Sequence, residues 1–160
     1  MDNKPKCETK TALSKMMAIC SRGEKAISDI EEKLRNWNID SSDINYIIDE
    51  LIKENFLNEE RFCTAYVRDK LRFNHWGKIK IRFMLSGKNI AKSLQEKILS
   101  EINPNEYLEI IISELKSKLR GNPIPTDYNE KMKIVASLSR KGFESELIFK
   151  GLSEIGKEYK

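Results

Sequence analysis

The sequence predicts an all-α protein made of three three-helix repeats stacked into an elongated array. Apolar residues recur at helical spacing along nearly the whole chain, and the segment 77–102 returns in similar form at 130–155. Residues 79–85 could form a short strand, but the sequence offers no partner strand. A unit of about fifty residues buries too little surface to be stable alone, so neighbouring units are expected to stack.

Helical periodicity predicts nine helices in chain order. The clearest apolar stripe follows the i, i+3, i+4, i+7 pattern and consists of Ile44, Ile47, Ile48, Leu51 and Ile52. Ser21 with Glu24 predicts a capping box, and Asn103 followed by Pro104 predicts an N-cap with proline at the first helical position. The predicted helices lie near 8–20, 24–36, 43–55, 59–73, 77–88, 91–102, 105–120, 128–141 and 144–157.

The internal repeat also predicts the turns and the unit boundaries. With an offset of 53 residues, the paired helices at 77–102 align with those at 130–155, and a fainter third copy starts at Glu24. The turn within each pair carries Asn38, Asn89 or Gly142, which are residue types that tolerate the left-handed conformation ending a helix. We therefore divide the chain into repeats at 1–57, 58–103 and 104–160.

Composition and cysteine usage narrow the class of protein. The chain has 160 residues, 34% of them charged, and a net charge of +4. Three widely spaced cysteines, Cys7, Cys20 and Cys63, suit a reducing compartment better than a disulfide framework. The N-terminus contains no apolar run long enough for a signal sequence or a membrane span, so we expect a cytoplasmic protein.

Charge is segregated along the chain. Residues 40–60 carry a net charge of −6, residues 61–95 carry +8, and residues 131–143 contain no acid. Because the two basic helices occupy one position in their repeats, stacking is expected to align them into a surface that binds an anionic partner, either a phosphate backbone or an acidic protein groove. The candidate contacts are Arg68, Lys70, Arg72, Lys78, Lys80, Arg82, Lys88, Lys131, Lys133, Arg140 and Lys141.

No residue pattern predicts catalysis, a metal site or a cofactor. His75 lacks nearby ligand partners, and the Gly-Lys pairs at 77–78 and 87–88 lack the rest of a phosphate-binding loop. We expect Phe73 and Trp76 to pack between helices where the chain turns, with base stacking or a contact anchor as the alternative. Met16, Met17, Met84 and Met132 are expected to fill the core.

Residues 56–68 (FLNEERFCTAYVR) resemble the "y-L-[DN]-[DE]-x-R-F-A-x-x-Y-V-R" signature of the RecX family of bacterial recombination regulators. The family's basic helix, "G-x-x-x-I-x-x-x-L-x-x-K-G-I", is similar to residues 77–90, and a later copy is similar to 133–143. The resemblance covers about residues 11–155. Cys63 stands where alanine is usual, Asn58-Glu59 replaces an aspartate pair, and Asn38 and Asn89 replace glycine.

The resemblance implies three tandem three-helix repeats in a curved rod. It also implies a cytoplasmic regulator that binds the RecA recombinase filament and inhibits recombinase, ATPase and coprotease activity, by blocking extension or promoting disassembly. Such a protein would act in homologous recombination, DNA repair and the SOS response without a cofactor. The residues themselves suggest no obligate dimer and no membrane span, so we expect a monomer without membrane attachment. Single-stranded DNA could bind the same basic face.

Two other functions stay open at this level. One is a helix-turn-helix-like module that binds nucleic acid directly, although here the basic helix is the first of each repeated pair. The other is a purely structural helical scaffold, which predicts no response to charge reversal on the basic helices. The regulator hypothesis is the leading one.

Overall fold

The computed structural model describes residues 7–158, and in this range the chain forms nine α-helices and no strand. The first unit contains α1 (Cys7–Ser21), α2 (Ile27–Asn36) and α3 (Ser41–Lys53). The second contains α4 (Glu59–Arg72), α5 (Lys78–Gly87) and α6 (Lys92–Ser100). The third contains α7 (Pro104–Leu119), α8 (Tyr128–Arg140) and α9 (Ser145–Glu158).

The extensive helix–helix contacts lie within the three units. They join α1 and α2 to α3, join α4, α5 and α6 to one another, and join α7, α8 and α9 to one another. Units that contact mainly themselves and their neighbours produce an extended architecture. The prediction of an all-α rod of three tandem three-helix repeats is confirmed.

The core is divided in two. The first unit has its own apolar cluster, in which Met16, Ile47 and Leu51 are completely buried. The second and third units share one larger cluster, to which the first unit contributes only Ala26. Of the predicted stripe on α3, Ile52 is 45% exposed and does not join the core. The second and third units are therefore joined by apolar packing, whereas the first unit packs on itself.

The turn inside each helix pair has the same geometry three times. Asn38, Asn89 and Gly142 have φ values of 60°, 59° and 93°, which confirms the predicted left-handed conformation. In each turn the N–H of the residue that follows donates to the carbonyl of a buried leucine. The N···O distances are 3.1 Å for Ile39 to Leu34, 3.1 Å for Ile90 to Leu85 and 3.3 Å for Phe143 to Leu138. This is the bond that closes a Schellman-type helix end.

Of the two predicted helix starts, one is confirmed and one is wrong. The Asn103 side chain accepts hydrogen bonds from the N–H groups of Asn105 and Glu106, as an N-cap does. Ser21 instead ends α1, where its hydroxyl donates to the carbonyl of Ala18, and α2 begins only at Ile27. Glu24 therefore lies before α2 and makes no cap, and its carboxylate accepts a bond from Arg61 of the next unit.

Candidate partner-binding surface

The N-terminus of α5 is capped by the third unit. The N–H of Gly77 donates to the carbonyl of Lys141 at 2.7 Å, and the N–H of Ile79 donates to the carbonyl of Gly142 at 3.0 Å. Between them, the N–H of Lys78 donates to the hydroxyl of Tyr107 at 3.0 Å. The donors that a helix leaves unsatisfied at its start are therefore used to join two units.

The C-terminus of α5 makes an equivalent junction with the first unit. The hydroxyl of Ser28 donates to the carbonyl of Lys88 at 2.8 Å, and the Lys88 ammonium donates to Asp29 at 2.9 Å. Lys88 and Lys141 occupy the same place in their repeats, so the chain uses one type of junction twice. Because both ends of α5 are attached to neighbours, its outward face has a defined orientation along the rod.

That outward face carries apolar side chains. Ile81 and Leu85 are completely buried, whereas Phe83 is 75% exposed and Ile79 is 52% exposed. Ile79 and Phe83 are separated by one helical turn and point away from the buried pair. The sequence analysis missed this surface, although the positions of Ile79 and Phe83 relative to Ile81 and Leu85 on a helical wheel would have shown it.

Four candidate cations of the second unit lie over aromatic rings, and the most distant of them is Lys88, at 5.8 Å from the centre of the Phe62 ring. The ammonium of Lys80 is 4.3 Å and that of Lys70 is 4.8 Å from the centre of the Trp76 ring. The Lys78 ammonium is 4.8 Å from the centre of the Tyr107 ring. A ring face attracts an ammonium group without neutralising its charge, so these lysines are held in place as cations.

Six of the eleven candidate cations contact carboxylates. The four strongest contacts, at 2.7–3.0 Å, are Arg82–Glu96, Lys88–Asp29, Arg72–Glu106 and Lys141–Glu114. The contacts Lys133–Glu130 and Arg68–Asp69 are longer, at 3.3 and 3.5 Å. Their charges are partly compensated, so they attract a further anion less strongly than free cations do.

The other five candidates have no carboxylate partner within residues 7–158. They are Lys70, Lys78, Lys80, Lys131 and Arg140. The structure brings Lys70 and Lys80 together at Trp76 and places the Lys141 turn against the start of α5. Arg68 and Arg72 instead line a cleft with Glu101 and Glu106, to which α5 does not contribute. The expected basic strip is thus interrupted, and its role in binding stays a prediction.

Phe73 and Trp76, which follow the end of α4, have different surroundings. Trp76 is half-buried and packs against the core shared by the second and third units, as expected. Phe73 was expected to pack in the same way, and that prediction is wrong, because its side chain is 81% exposed. The chain turns sharply at His75, whose φ is 51°, and the turn leaves Phe73 outside the packed layer.

A polar cluster lies beneath this turn. His75 Nδ1 donates to Glu114 Oε1 at 2.5 Å, and the ammonium of Lys141 donates to Glu114 Oε2 at 3.0 Å. Burial alone would raise the pKa of the Glu114 carboxyl, but these two bonds outweigh it and hold the pKa below its ordinary value. Glu114 therefore stays ionised and links α7 to the turns on either side of the junction.

Cys63, Cys20 and Tyr107 are buried ionisable groups that lie outside this cluster. Burial raises the pKa of Cys63 to about 11, so its thiol is protonated and a poor nucleophile at neutral pH. Cys20 is also buried as a free thiol, and the side chain of Cys7 lies outside the described residues. Burial, followed by the bond to Glu144, raises the pKa of Tyr107. Across 7–158, no group of three His, Cys, Asp or Glu residues could hold a metal ion.

No helix between residues 7 and 158 combines the length and the apolar character needed to cross a membrane.

Two family models match the chain over the second and third units. The model described as the second three-helix domain of RecX matches residues 58–99, and that of the third three-helix domain matches residues 105–152. Together they cover more than half of the 160 residues.

Curated relatives align with most of the chain. A protein of Acinetobacter baylyi named Regulatory protein RecX is 28% identical over 88% of this chain and 86% of its own length. A protein of the same name from Vibrio parahaemolyticus is 25% identical over 96% and 97% of the two lengths. A third, from Clostridium beijerinckii, is 26% identical, and the chain spans 62% of its length.

Solved structures show the same fold. The crystal structure of RecX from Lactobacillus salivarius superposes with a TM-score of 0.81 at 23% identity, over 92% of this chain and 96% of that one. A second structure, titled regulatory protein RecX, gives a TM-score of 0.78 at 22% identity over 87% and 70% of the two chains. Since the repeat architecture, both domain models and the aligned relatives agree, the chain belongs to the RecX family.

Proposed function

We propose that this protein is a regulator, with no catalytic activity of its own, that binds the RecA–DNA filament and inhibits its recombinase, ATPase and coprotease activities. Its relatives carry the name Regulatory protein RecX, and the proposal extends that name to the activity that the resemblance implies. We propose that it acts in the cytoplasm, as a monomer.

The observation that carries the proposal is the pair of lysines at the junction of the second and third units. Lys70 and Lys80 are both held over the Trp76 ring and have no carboxylate partner within residues 7–158. A nucleoprotein filament is strongly anionic, and ammonium groups held in place lose little conformational freedom when they bind it.

Mass action supplies the mechanism of inhibition. A protein that binds the growing end, or prefers a disassembling form, shifts the filament population by its difference in affinity for the two states. An extended rod of three units suits this role, because it offers contacts over a long distance along the filament.

The test is ATP hydrolysis by RecA on single-stranded DNA with increasing amounts of this protein. The expected result is inhibition that grows with concentration. Hydrolysis that stays unchanged up to a molar excess over RecA would eliminate the proposal.

A charge reversal tests the surface. Lys70→Glu with Lys80→Glu is expected to raise the concentration for half-inhibition by about tenfold or more, because two attractive charges become repulsive. Lys118→Glu is the control, since Lys118 is exposed on α7 and no carboxylate within residues 7–158 contacts it. Lys78 and Arg82 are not changed in this variant. Arg82 is paired with Glu96, so reversing the charge of Arg82 would add repulsion inside the fold.

A second candidate function is direct binding of nucleic acid, including single-stranded DNA. Phe73, 81% exposed beside Arg72 at the end of α4, favours it, because an exposed ring next to a cation can stack on a base. Strong binding to one duplex sequence without RecA, with a steep loss of affinity as salt rises, would favour this function over the regulator.

A further inference from the structure

The outward face of α5 exposes two large apolar side chains near the candidate cations. Ile79 and Phe83 lie side by side on it, and Phe83 also lines a cleft of about 590 Å³ between α2 and α5. Met84, half-buried, lines the same cleft. These side chains gain nothing from exposure to water, and their burial against a partner would be favourable.

The charges around this face distinguish a protein partner from a nucleic acid. Inside the cleft, Lys88 is already paired with Asp29, and Glu32 adds a further carboxylate, whereas the exposed Arg35 has no carboxylate partner within residues 7–158. A phosphate backbone entering this cleft would meet two carboxylates and one unpaired cation, Arg35, so the lining offers it no net positive charge. An apolar side chain would meet Phe83 and Met84 without that penalty.

The edge of the face toward the third unit is cationic. Lys80 directly follows Ile79 in α5 and precedes Phe83 by three residues, so it lies beside both on the helix. Its ammonium has no carboxylate partner within residues 7–158. A carboxylate next to the incoming apolar side chain could therefore pair with Lys80. The face thus fits an apolar side chain with a carboxylate beside it.

We infer that Ile79, Phe83 and Lys80 form a docking surface for a protein, and that they bind an exposed apolar side chain flanked by a carboxylate. This inference rests on the proposed function, which supplies the RecA–DNA filament as the partner. Within that filament, we assign this surface to the RecA subunit and not to the DNA. Ile79 and Phe83 supply the buried contact area, and Lys80 fixes the orientation of the partner.

The experiment measures binding of this protein to two probes. The first is a RecA filament formed on oligo(dT) with a slowly hydrolysed ATP analogue, and the second is oligo(dT) alone. The double variant Ile79→Ser with Phe83→Ser is expected to bind the filament at least about tenfold more weakly, while its affinity for oligo(dT) stays within about twofold. Both side chains are exposed, so the variant should keep the circular dichroism spectrum of the wild type.

Two further variants make the result specific. Tyr128→Ser removes an aromatic side chain that is 71% exposed on α8, and it should leave both affinities unchanged. Phe83→Leu retains an apolar side chain and should retain most of the filament affinity. Filament binding that the double variant leaves unchanged, or a parallel loss of oligo(dT) binding, would overturn the inference. Wild-type protein that fails to bind the filament would instead refute the proposed function itself, and the inference with it.

Discussion

Gly77 and Gly142 lie with their backbones in direct contact. A Cβ atom on Gly77 would come within 2.2 Å of the carbonyl carbon of Gly142, and a Cβ atom on Gly142 would come within 2.4 Å of the backbone nitrogen of Lys80. No side chain fits at either position. The two glycines allow the start of α5 to meet the turn between α8 and α9, and they join the second unit to the third.

Replacing Gly77 with alanine should destabilise the protein. The added methyl group would meet backbone atoms, which cannot rotate away as a flexible side chain can, so the junction must open. We expect the free energy of unfolding to fall by about 2–3 kcal/mol, in the range of other overpacking substitutions. Urea denaturation followed by circular dichroism measures the change.

Gly87, the last residue of α5, is the matched control. A Cβ atom there meets nothing within 4 Å, so Gly87→Ala should leave stability unchanged or raise it by up to about 1 kcal/mol. Equal destabilisation by the two substitutions would show that the contact between Gly77 and Gly142 contributes nothing specific.

Tyr107→Phe should weaken the same junction by removing one hydroxyl group. This hydroxyl donates to Glu144 Oε2 at 2.6 Å and accepts from the N–H of Lys78. Without it, a carboxylate and a helix N-terminus both lose a partner in a half-buried place. We expect a loss of about 1–2 kcal/mol in the free energy of unfolding, measured by urea denaturation.

Tyr128→Phe serves as the comparison, because Tyr128 is 71% exposed. It should unfold at the same urea concentration as the wild type. A Tyr107→Phe variant as stable as Tyr128→Phe would refute the bridging role of the hydroxyl group.

Glu114 makes stability depend on pH. Its pKa in the folded protein lies below the ordinary value of 4.5, so it stabilises the fold fully above that pH. The stabilisation is lost as the pH falls from about 4.5 toward the lower pKa of the folded state. Glu114→Gln should therefore cost about 1–2 kcal/mol at pH 7, and the difference from wild type should shrink below pH 4.5.

Thermal unfolding of both proteins between pH 3 and pH 7 measures this difference. Glu109→Gln on the same helix is the control, because Glu109 is exposed. A difference between wild type and Glu114→Gln that does not vary with pH would contradict the assignment of the pH dependence to this carboxyl.

Arg61 joins the first unit to the second through three hydrogen bonds from its guanidinium. Its guanidinium donates to Glu24 Oε1 at 2.8 Å, to Asn55 Oδ1 at 2.9 Å and to the carbonyl of Asn55 at 3.0 Å. Arg61→Lys cannot reproduce this geometry and should cost about 1 kcal/mol, since the site is partly exposed to solvent.

Hydrogen exchange should locate the effect of Arg61→Lys. Amide protons in the first unit are expected to exchange faster, while those of the core shared by the second and third units keep their rates. Arg68→Lys is the control, because within residues 7–158 the Arg68 guanidinium pairs only with the adjacent Asp69, at 3.5 Å. Faster exchange throughout the chain would argue against a separate attachment of the first unit.

Local signals explain which parts of the fold could be predicted. Asn38, Asn89 and Gly142 ended their helices as expected, because left-handed tolerance is a property of the residue itself. The capping box at Ser21 and Glu24 failed because Ser21 is the last residue of α1 and α2 begins only at Ile27, while the Glu24 carboxylate accepts a bond from Arg61. A local motif cannot reveal a partner 37 residues away.

The candidate site was less predictable than the fold. Charge counting along the sequence identified Lys80 and Arg82 alike, yet Arg82 is bonded to Glu96 while Lys80 lies over Trp76. The sequence also predicted the same packing role for Phe73 and Trp76, although only Trp76 packs against the core. Both distinctions depend on which elements meet, and residue type does not contain that information.

The sequence by itself determined the nine helices of residues 7–158, their turns and their grouping into repeats, because periodicity and backbone preference act over a few residues. Only the tertiary structure decided which cations stay uncompensated and which apolar side chains face outward. Those properties arise where α5 meets its neighbours at Gly77 and Lys88, and they depend on distances between atoms that are remote in the chain.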